Sequence, residues 1–126
     1  MTKKLISLAI TALLLVSLSC VNVSAAPSSW AVTEVRAARD AGLVPDRIMN
    51  DYQNPITREE FCEMVILLYE NLTRKTAPVA SNPFTDINNP AVTSAFTLGI
   101  VNGIGEGLFA PSSEITRQEI CTMLAR

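Results

Sequence analysis

The sequence predicts an all-α protein made of two tandem helix-loop-helix units, packed on each other and containing short extended loops. A nine-residue segment at 56–64 recurs at 115–123 with six identities in nine positions, at a constant offset of 59. Each copy opens with a helix-capping motif, and apolar residues follow at helical spacing. Neither helix pair alone has enough apolar surface to be stable, so the two units are expected to pack together.

A second segment repeats upstream of the first. Residues 38–44 align with 95–101 at an offset of 57, so the connecting loop is two residues longer in the second unit. In the first unit, Gly42 supplies the left-handed residue that commonly ends a helix. The apolar residues that predict this helix by their spacing are Trp30, Ala31, Val35, Ala38 and Ala41.

The corresponding helix of the second unit has clear boundary signals. Asn89 is a suitable N-cap, Pro90 fits the first helical position, and Gly99 ends the helix. Short extended pieces, at 52–55 and 108–111, are expected before the later helix of each unit.

The later helices start with capping boxes. Thr57 with Glu60, and Thr116 with Glu119, place a hydroxyl and a carboxylate where each accepts a backbone amide that the helix leaves unpaired. The predicted apolar stripe of the first of these helices is Phe61, Met64, Val65, Leu68 and Leu72, and Ile120, Met123 and Leu124 echo it in the second.

The first 25 residues resemble a signal peptide. Lys3 and Lys4 precede an apolar run at 5–18, and small residues at 23–25 suit a signal peptidase. A retained membrane anchor is disfavoured because the run is shorter than the roughly 20 residues that span a bilayer. Lipidation at Cys20 is disfavoured because no leucine stands three positions before it. We therefore expect a secreted protein with no membrane segment after cleavage.

The predicted domain organisation follows from these segments. Residues 1–25 are the signal peptide, 26–72 the first unit, 73–83 a linker with two prolines and no periodicity, and 84–126 the second unit. The second unit ends soon after its capping-box helix begins.

Composition excludes several functions. Removing Lys3 and Lys4 from the ten basic residues leaves eight against twelve acidic ones, a net charge of −4, which argues against nucleic acid as a partner. The chain has no histidine, the commonest general base and metal ligand near neutral pH. The glycine-rich loop at 102–109 lacks the residues of a phosphate or calcium loop, and no cofactor is expected.

Two further residue pairs occupy repeated positions. Glu60 and Glu119 are a pair of carboxylates of the kind that glycosidases use, but their capping role explains them better. Cys62 and Cys121 are expected to be buried free thiols on helices rather than a disulfide, which requires Cα atoms within about 7 Å.

The second unit has F-x-D at Phe84 and Asp86, G-I-x-x-G at 99–103, G-x-F-x-P at 107–111 and an I-T-R-x-E segment at 115–119. In this order, the motifs resemble the repeat of the S-layer homology family. The first unit is similar to a divergent copy that keeps Trp30 and the I-T-R-E-E segment but lacks the F-x-D. The resemblance implies three repeats around a pseudo-threefold axis with ligand grooves between them. Only two are visible, so self-association of chains is one way to complete the set.

The resemblance also implies site residues. Arg58 and Arg117 stand in the first helical turn, where a cation costs roughly 0.3–1 kcal/mol. Each either pairs with an acid or joins the two units, or forms an anion pocket with Thr57 or Thr116 and free helix amides. The family resemblance implies contact with an acidic wall polymer, typically a pyruvylated amino sugar.

Trp30 and Asp86 each have two interpretations. The Trp30 ring either packs in the core or stacks on a sugar. Asp86 either caps the following turn or, as the resemblance implies, receives sugar hydroxyls. The leading hypothesis is a non-catalytic module that anchors proteins to peptidoglycan-linked polysaccharide, and the alternative is an assembly protein whose incomplete repeats drive oligomerisation.

Overall fold

The computed structural model describes residues 26–126, so the predicted signal peptide lies outside the described residues. Four α-helices follow one another: α1 (Val32–Asp40), α2 (Arg58–Thr73), α3 (Pro90–Thr97) and α4 (Arg117–Ala125). A short 3-10 helix, Asp46–Ile48, lies between α1 and α2. Across residues 26–126 the extended segments form isolated bridges and no strand, which confirms the all-α prediction.

The predicted helix boundaries are confirmed at α2, α3 and α4. Thr57 and Thr116 are the N-caps of α2 and α4, and both capping boxes are complete. The Asn89 side chain accepts the amide of Ala91 at 2.9 Å, with Pro90 at the first position of α3. Gly99 follows α3 with φ of 75°, a left-handed conformation that suits glycine.

The first helix is shorter than predicted. It begins at Val32 rather than Trp30, which lies in the preceding turn, and it ends at Asp40, one residue before Ala41. No residue of α1 is buried. Its four apolar residues, two valines and two alanines, are all at least partly exposed, so α1 lies at the edge of the fold.

The core lies mainly in the second unit, and α2 of the first unit completes it. Helix α2 packs against α3 across the predicted linker, which brings Ile66 into the same cluster as Val92. The linker also contributes, because Ala77 is buried and its amide donates to Glu70 at 2.8 Å. The buried apolar residues are Cys62, Ile66, Ala77, Phe84, Val92, Ala95, Val101, Phe109 and Met123.

The predicted apolar stripe of α2 is covered only in part: Phe61 packs against the core, and Met64 and Val65 are half-buried. The buried residues of α2 are Arg58, Cys62 and Ile66, one turn apart, whereas Leu68 and Leu72 are 37% and 75% exposed. The helix turns this face inward because α3 and the loop that precedes α4 pack against it. The leucine face remains largely uncovered in residues 26–126.

The two repeated cysteines have different environments. Cys62 is buried and free, as predicted, whereas Cys121 is free but exposed. The prediction of burial is therefore wrong for Cys121. Their environments differ because α2 is covered by the second unit, and the equivalent face of α4 is open to solvent.

The starts of α2 and α4 lie side by side. Thr57 and Glu114 form an antiparallel bridge, and the amide of Ile115 donates to the carbonyl of Ile56 at 3.2 Å. The short extended pieces predicted before each capping box therefore meet at the junction of the two units.

A polar cluster holds the first unit to α3. The Asn89 amide donates to Glu59 and Glu63, both at 2.7 Å, and Arg47 lies 3.1 Å from each of the same carboxylates. Burial lowers the pKa of Arg47, but hydrogen bonds and charge from the two glutamates outweigh it, so the net shift is upward. Arg47 therefore keeps its charge and joins the 3-10 helix to α2.

Phe109 should be the side chain on which the second unit depends most. It is fully buried and contacts Phe84 with ring centroids 5.2 Å apart. We expect Phe109→Ala to lower the free energy of unfolding by about 3–5 kcal/mol, measured by urea denaturation. Phe96→Ala is the matched control, because this ring also contacts Phe84 but is 38% exposed. An equal loss in both variants would contradict this view of the core.

Candidate functional site

Arg58 joins the two units from inside the protein. It is 5% exposed, and its Nε donates to the carbonyl of Phe109 at 3.0 Å. One terminal nitrogen donates to the carbonyl of Asn102 at 3.3 Å and the other to the carboxylate of Glu119. The guanidinium carbon also lies 4.9 Å from the centre of the Phe109 ring. Of the two interpretations of Arg58, the structure favours the contact between units.

The backbone amides at the start of α2 also have acceptors in the second unit. The amide of Arg58 donates to the carbonyl of Ser113 at 2.9 Å, and that of Glu59 donates to the carbonyl of Pro111 at 3.1 Å. Thr57 caps the helix and exchanges hydrogen bonds with Glu60. Arg58 and the two amides, which were predicted to receive an anion here, bind the second unit instead, and Thr57 bonds to Glu60 at its own helix start.

The start of α4 differs although its sequence is nearly the same. Thr116 and Glu119 form the same capping box, but Arg117 is exposed. Within residues 26–126, no hydrogen bond or ion pair involves the Arg117 side chain, and none involves the amides of Arg117 and Gln118. A free guanidinium beside free amides at a helix start is an arrangement that binds anions.

Asp86 holds the loop before α4. Its carboxylate accepts the amide of Phe109 at 2.9 Å and the amide of Ala110 at 2.8 Å. Ala110 has φ of 58°, a left-handed conformation that costs a non-glycine residue roughly 1 kcal/mol. Asp86 therefore stabilises a strained turn some twenty residues away in sequence, rather than the turn that follows it directly.

Trp30 lies away from the core. Its side chain is 83% exposed in the turn before α1, so the interpretation of Trp30 as a core residue does not fit the structure. An exposed indole retains an apolar face for stacking. The structure does not bring Trp30 into hydrogen-bonding contact with Arg117, Arg58 or Asp86, and these residues form no single site.

The first unit contains a pocket that the sequence did not predict. A cavity of about 250 Å³ lies between the loop that precedes α2 and the start of α2, and its lining includes Tyr52, Asn54, Thr57 and Glu60. The repeat offered a signal for it, because Glu60 matches Glu119, the partner of Arg58. We call this cavity the Glu60 pocket.

Two other classes of site are not seen in the described part of the chain. Residues 26–126 contain no cluster of three or more histidine, cysteine, aspartate or glutamate side chains placed to hold a metal ion. Nor does any helix in this range have the length and apolar character needed to cross a bilayer.

Replacing the two repeated arginines should separate their roles in stability. Arg58→Ala removes a buried cation with three hydrogen bonds, and we expect the free energy of unfolding to fall by at least about 2 kcal/mol. Arg117→Ala removes an exposed side chain, and we expect a change within about 0.5 kcal/mol. Urea denaturation of both variants measures the difference. Similar values for the two would mean that Arg58 does not join the units.

Acid should weaken the contact between the two units, which Asp86 and Glu119 stabilise. Burial raises the pKa of Asp86, but the amides of Phe109 and Ala110 outweigh it and lower the pKa below its ordinary value of 3.8. The pKa of Glu119 lies below its ordinary value of 4.5, chiefly because of hydrogen bonds from Thr116, with a contribution from Arg58. Groups with a lowered folded-state pKa stabilise the fold above the ordinary pKa, and that stabilisation is lost as the pH falls through the folded-state value.

We therefore expect the free energy of unfolding to decrease as the pH falls below about 5. Asp86→Asn should be less stable at neutral pH and show a shallower acid dependence, measured by urea denaturation at a series of pH values. Asp40→Asn is the control, since Asp40 is exposed and accepts no hydrogen bond within residues 26–126. A wild-type pH profile unchanged by Asp86→Asn would contradict the role of this carboxylate.

Comparison with protein families identifies the second unit. Residues 83–121 match the family model of the S-layer homology domain. This range contains α3, the Asp86-bound loop and most of α4. That the first unit is a divergent copy of the same repeat stays a prediction. No solved structure gives a significant match to the chain.

Several curated proteins are similar to this chain. They include an amylopullulanase of Thermoanaerobacterium thermosulfurigenes, 32% identical across 75% of this chain, and the exoglucanase XynX of Acetivibrio thermocellus, 31% identical across 75%. An endoglucanase of Bacillus sp. (strain KSM-635) is 26% identical across 77% of this chain.

The alignments cover only 6%, 10% and 11% of those three proteins, respectively. The enzymatic names therefore describe proteins many times longer than the aligned region. What the chain shares with each of them is a region of about 100 residues. The chain carries, at residues 83–121, an S-layer homology domain, which is a non-catalytic module for anchoring proteins to the cell wall.

Proposed function

We propose that this protein is secreted and binds an anionic polysaccharide of the cell wall through the start of α4. The observation that carries the proposal is the contrast between the two helix starts. At α2 the arginine and the amides bind the chain itself, whereas at α4 Arg117 and its neighbouring amides have no partner within residues 26–126.

The chemistry of this site suits a carboxylate. A planar guanidinium donates two parallel hydrogen bonds to a carboxylate, and the amides of Arg117 and Gln118 add donors at the positive end of the helix dipole. Thr116 keeps the first turn in place through its capping box. The pyruvyl groups of a pyruvylated, peptidoglycan-linked polymer are such carboxylates.

Trp30 is proposed as a separate contact with the sugar. Its exposed ring supports stacking on the apolar face of a pyranose. Arg58, Thr57 and Asp86 are left out of the binding surface, because their polar groups bind the chain itself. This proposal contains no catalytic step, and the capping roles of Glu60 and Glu119 support that view.

Arg117→Ala should bind poorly to cell walls. Hydrogen bonds to charged groups contribute about 1.5–3 kcal/mol, so we expect retention on purified sacculi to weaken by roughly tenfold or more. Lys75→Ala is the matched control, since Lys75 is an exposed cation in the linker. The measurement is a sedimentation binding assay with wild type and both variants.

The same assay on walls stripped of their secondary polymer tests the ligand. Wild-type protein should bind stripped walls no better than Arg117→Ala binds intact ones. Higher salt should weaken binding to intact walls, because the site is exposed and the attraction is electrostatic. Equal retention of wild type on intact and stripped walls would contradict the proposed binding to the polymer.

A further inference from the structure

The second unit forms a binding site for the guanidinium of Arg58. Glu119 uses one carboxylate oxygen for Thr116, whose amide and hydroxyl both lie 2.8 Å away, and the other oxygen for Arg58. The carbonyls of Phe109 and Asn102 accept the remaining hydrogen bonds of the guanidinium. The capping box thus leaves one oxygen of its glutamate free to accept an arginine from another unit.

The first unit has a matching glutamate, Glu60, to which no arginine donates a hydrogen bond within residues 26–126. In Glu60 one oxygen accepts the amide and hydroxyl of Thr57, both at 2.8 Å, as in Glu119. The other oxygen accepts no hydrogen bond within residues 26–126, and its nearest cation is Arg47, with Nε 3.8 Å away. This glutamate lines the Glu60 pocket of about 250 Å³, together with Tyr52, which matches Phe109 at the offset of 57.

Arg117 has the properties that the Glu60 pocket requires. It matches Arg58 at the offset of 59, stands at the same position of a capping-box helix, and is exposed. The backbone amides beside the two arginines occupy matching positions but differ in their acceptors. Those of Arg58 and Glu59 donate to carbonyls at 113 and 111, whereas those of Arg117 and Gln118 have no acceptor within residues 26–126. The exposed residue Asn54, which matches Ser113 at the same offset, borders the pocket.

We propose that Arg117 of one copy of the protein inserts into the Glu60 pocket of a second copy. The guanidinium donates to the free oxygen of Glu60, and the start of α4 lies against the loop at 52–55 of the partner. This head-to-tail contact repeats the one between the two units of a single chain. Repetition of this contact gives a closed ring of copies where the rotation between them allows it, and an open filament otherwise.

An ion pair alone does not hold two proteins together, since exposed pairs contribute at most about 1 kcal/mol. The uncovered leucine face supplies apolar area on the helices that carry Glu60 and Arg117. Leu68 and Leu72 lie on α2 and Leu124 on α4, and all three border an open groove of about 280 Å³. We therefore expect a weak association that responds to concentration.

The proposal is independent of wall binding, although both use Arg117. A polymer carboxylate and the Glu60 pocket compete for one guanidinium, so soluble wall polymer should dissociate the assembly. The Glu60→Gln variant distinguishes self-association from wall binding, because it alters the pocket and leaves Arg117 intact. The glutamine retains an oxygen for the capping box but no longer offers a charged acceptor.

The test is sedimentation velocity of the full protein over a wide concentration range. Wild type should associate as concentration rises. Arg117→Ala and Glu60→Gln should each weaken association about fivefold in Kd, which corresponds to about 1 kcal/mol. Lys75→Ala and Glu34→Gln are the matched controls, since both residues are exposed and lie outside the pocket. Circular dichroism and thermal melting establish that each variant is folded.

Mixing the two defective variants gives the decisive result. Arg117→Ala retains an intact Glu60 pocket, and Glu60→Gln retains an intact Arg117, so an equimolar mixture should associate more strongly than either variant alone. A wild type that stays monomeric at every concentration would overturn the proposal. So would variants that associate like wild type, or a mixture with no recovery. Failure of Glu60→Gln to associate while it still binds walls would support this proposal and leave the proposed function unaffected.

Discussion

The guanidinium of Arg58 is the interaction on which the rest of the structure depends. It is a cation buried between two units, with its charge met by Glu119 and its remaining donors met by backbone carbonyls of one loop. That loop holds a left-handed alanine, and Asp86 stabilises it by accepting two of its amides. Asp86 and Arg58 both bind this loop. Loss of charge at Asp86 or at Glu119 therefore weakens the same junction between the two units.

A repeated sequence produces unequal environments in this chain. Arg58 and Arg117 begin nearly identical helices, yet one is buried and the other exposed. The difference arises because the start of α2 contacts the second unit, whereas the start of α4 makes no such contact within residues 26–126. Within residues 26–126, Arg117 has no partner, and one oxygen of Glu60 accepts no hydrogen bond and has only the ion pair with Arg47.

Local signals in the sequence predicted the helices well. Capping boxes, Asn89 with Pro90, and the glycines after helices depend on interactions within a few residues. The capping boxes were confirmed at α2 and α4, the Asn89 cap at α3, and the left-handed glycines after α1 and α3. Orientation was predicted poorly, because the face that a helix buries depends on distant partners. The stripe ending at Leu72 was the most apolar face of α2, but a face containing an arginine is the one that contacts the second unit.

The candidate site shows the same limit. Arginine in a first helical turn indicated that a negative group would meet it, but the repeat could not say whether that group was a ligand or Glu119. The role of Asp86 depends on a loop some twenty residues away, which no local pattern indicates. The assignment of Arg117 to wall polysaccharide and of Trp30 to a sugar ring remains a proposal.

The unequal cysteines make the two units chemically distinguishable. Burial raises the pKa of Cys62 to about 12, so almost none of this thiol is in the nucleophilic thiolate form at neutral pH. Cys121 is exposed on α4, in the same helix as Arg117. In the chain without its predicted signal peptide, which contains Cys20, a thiol-directed fluorophore would therefore attach to the second unit alone. It would report on the surroundings of α4 without disturbing the core.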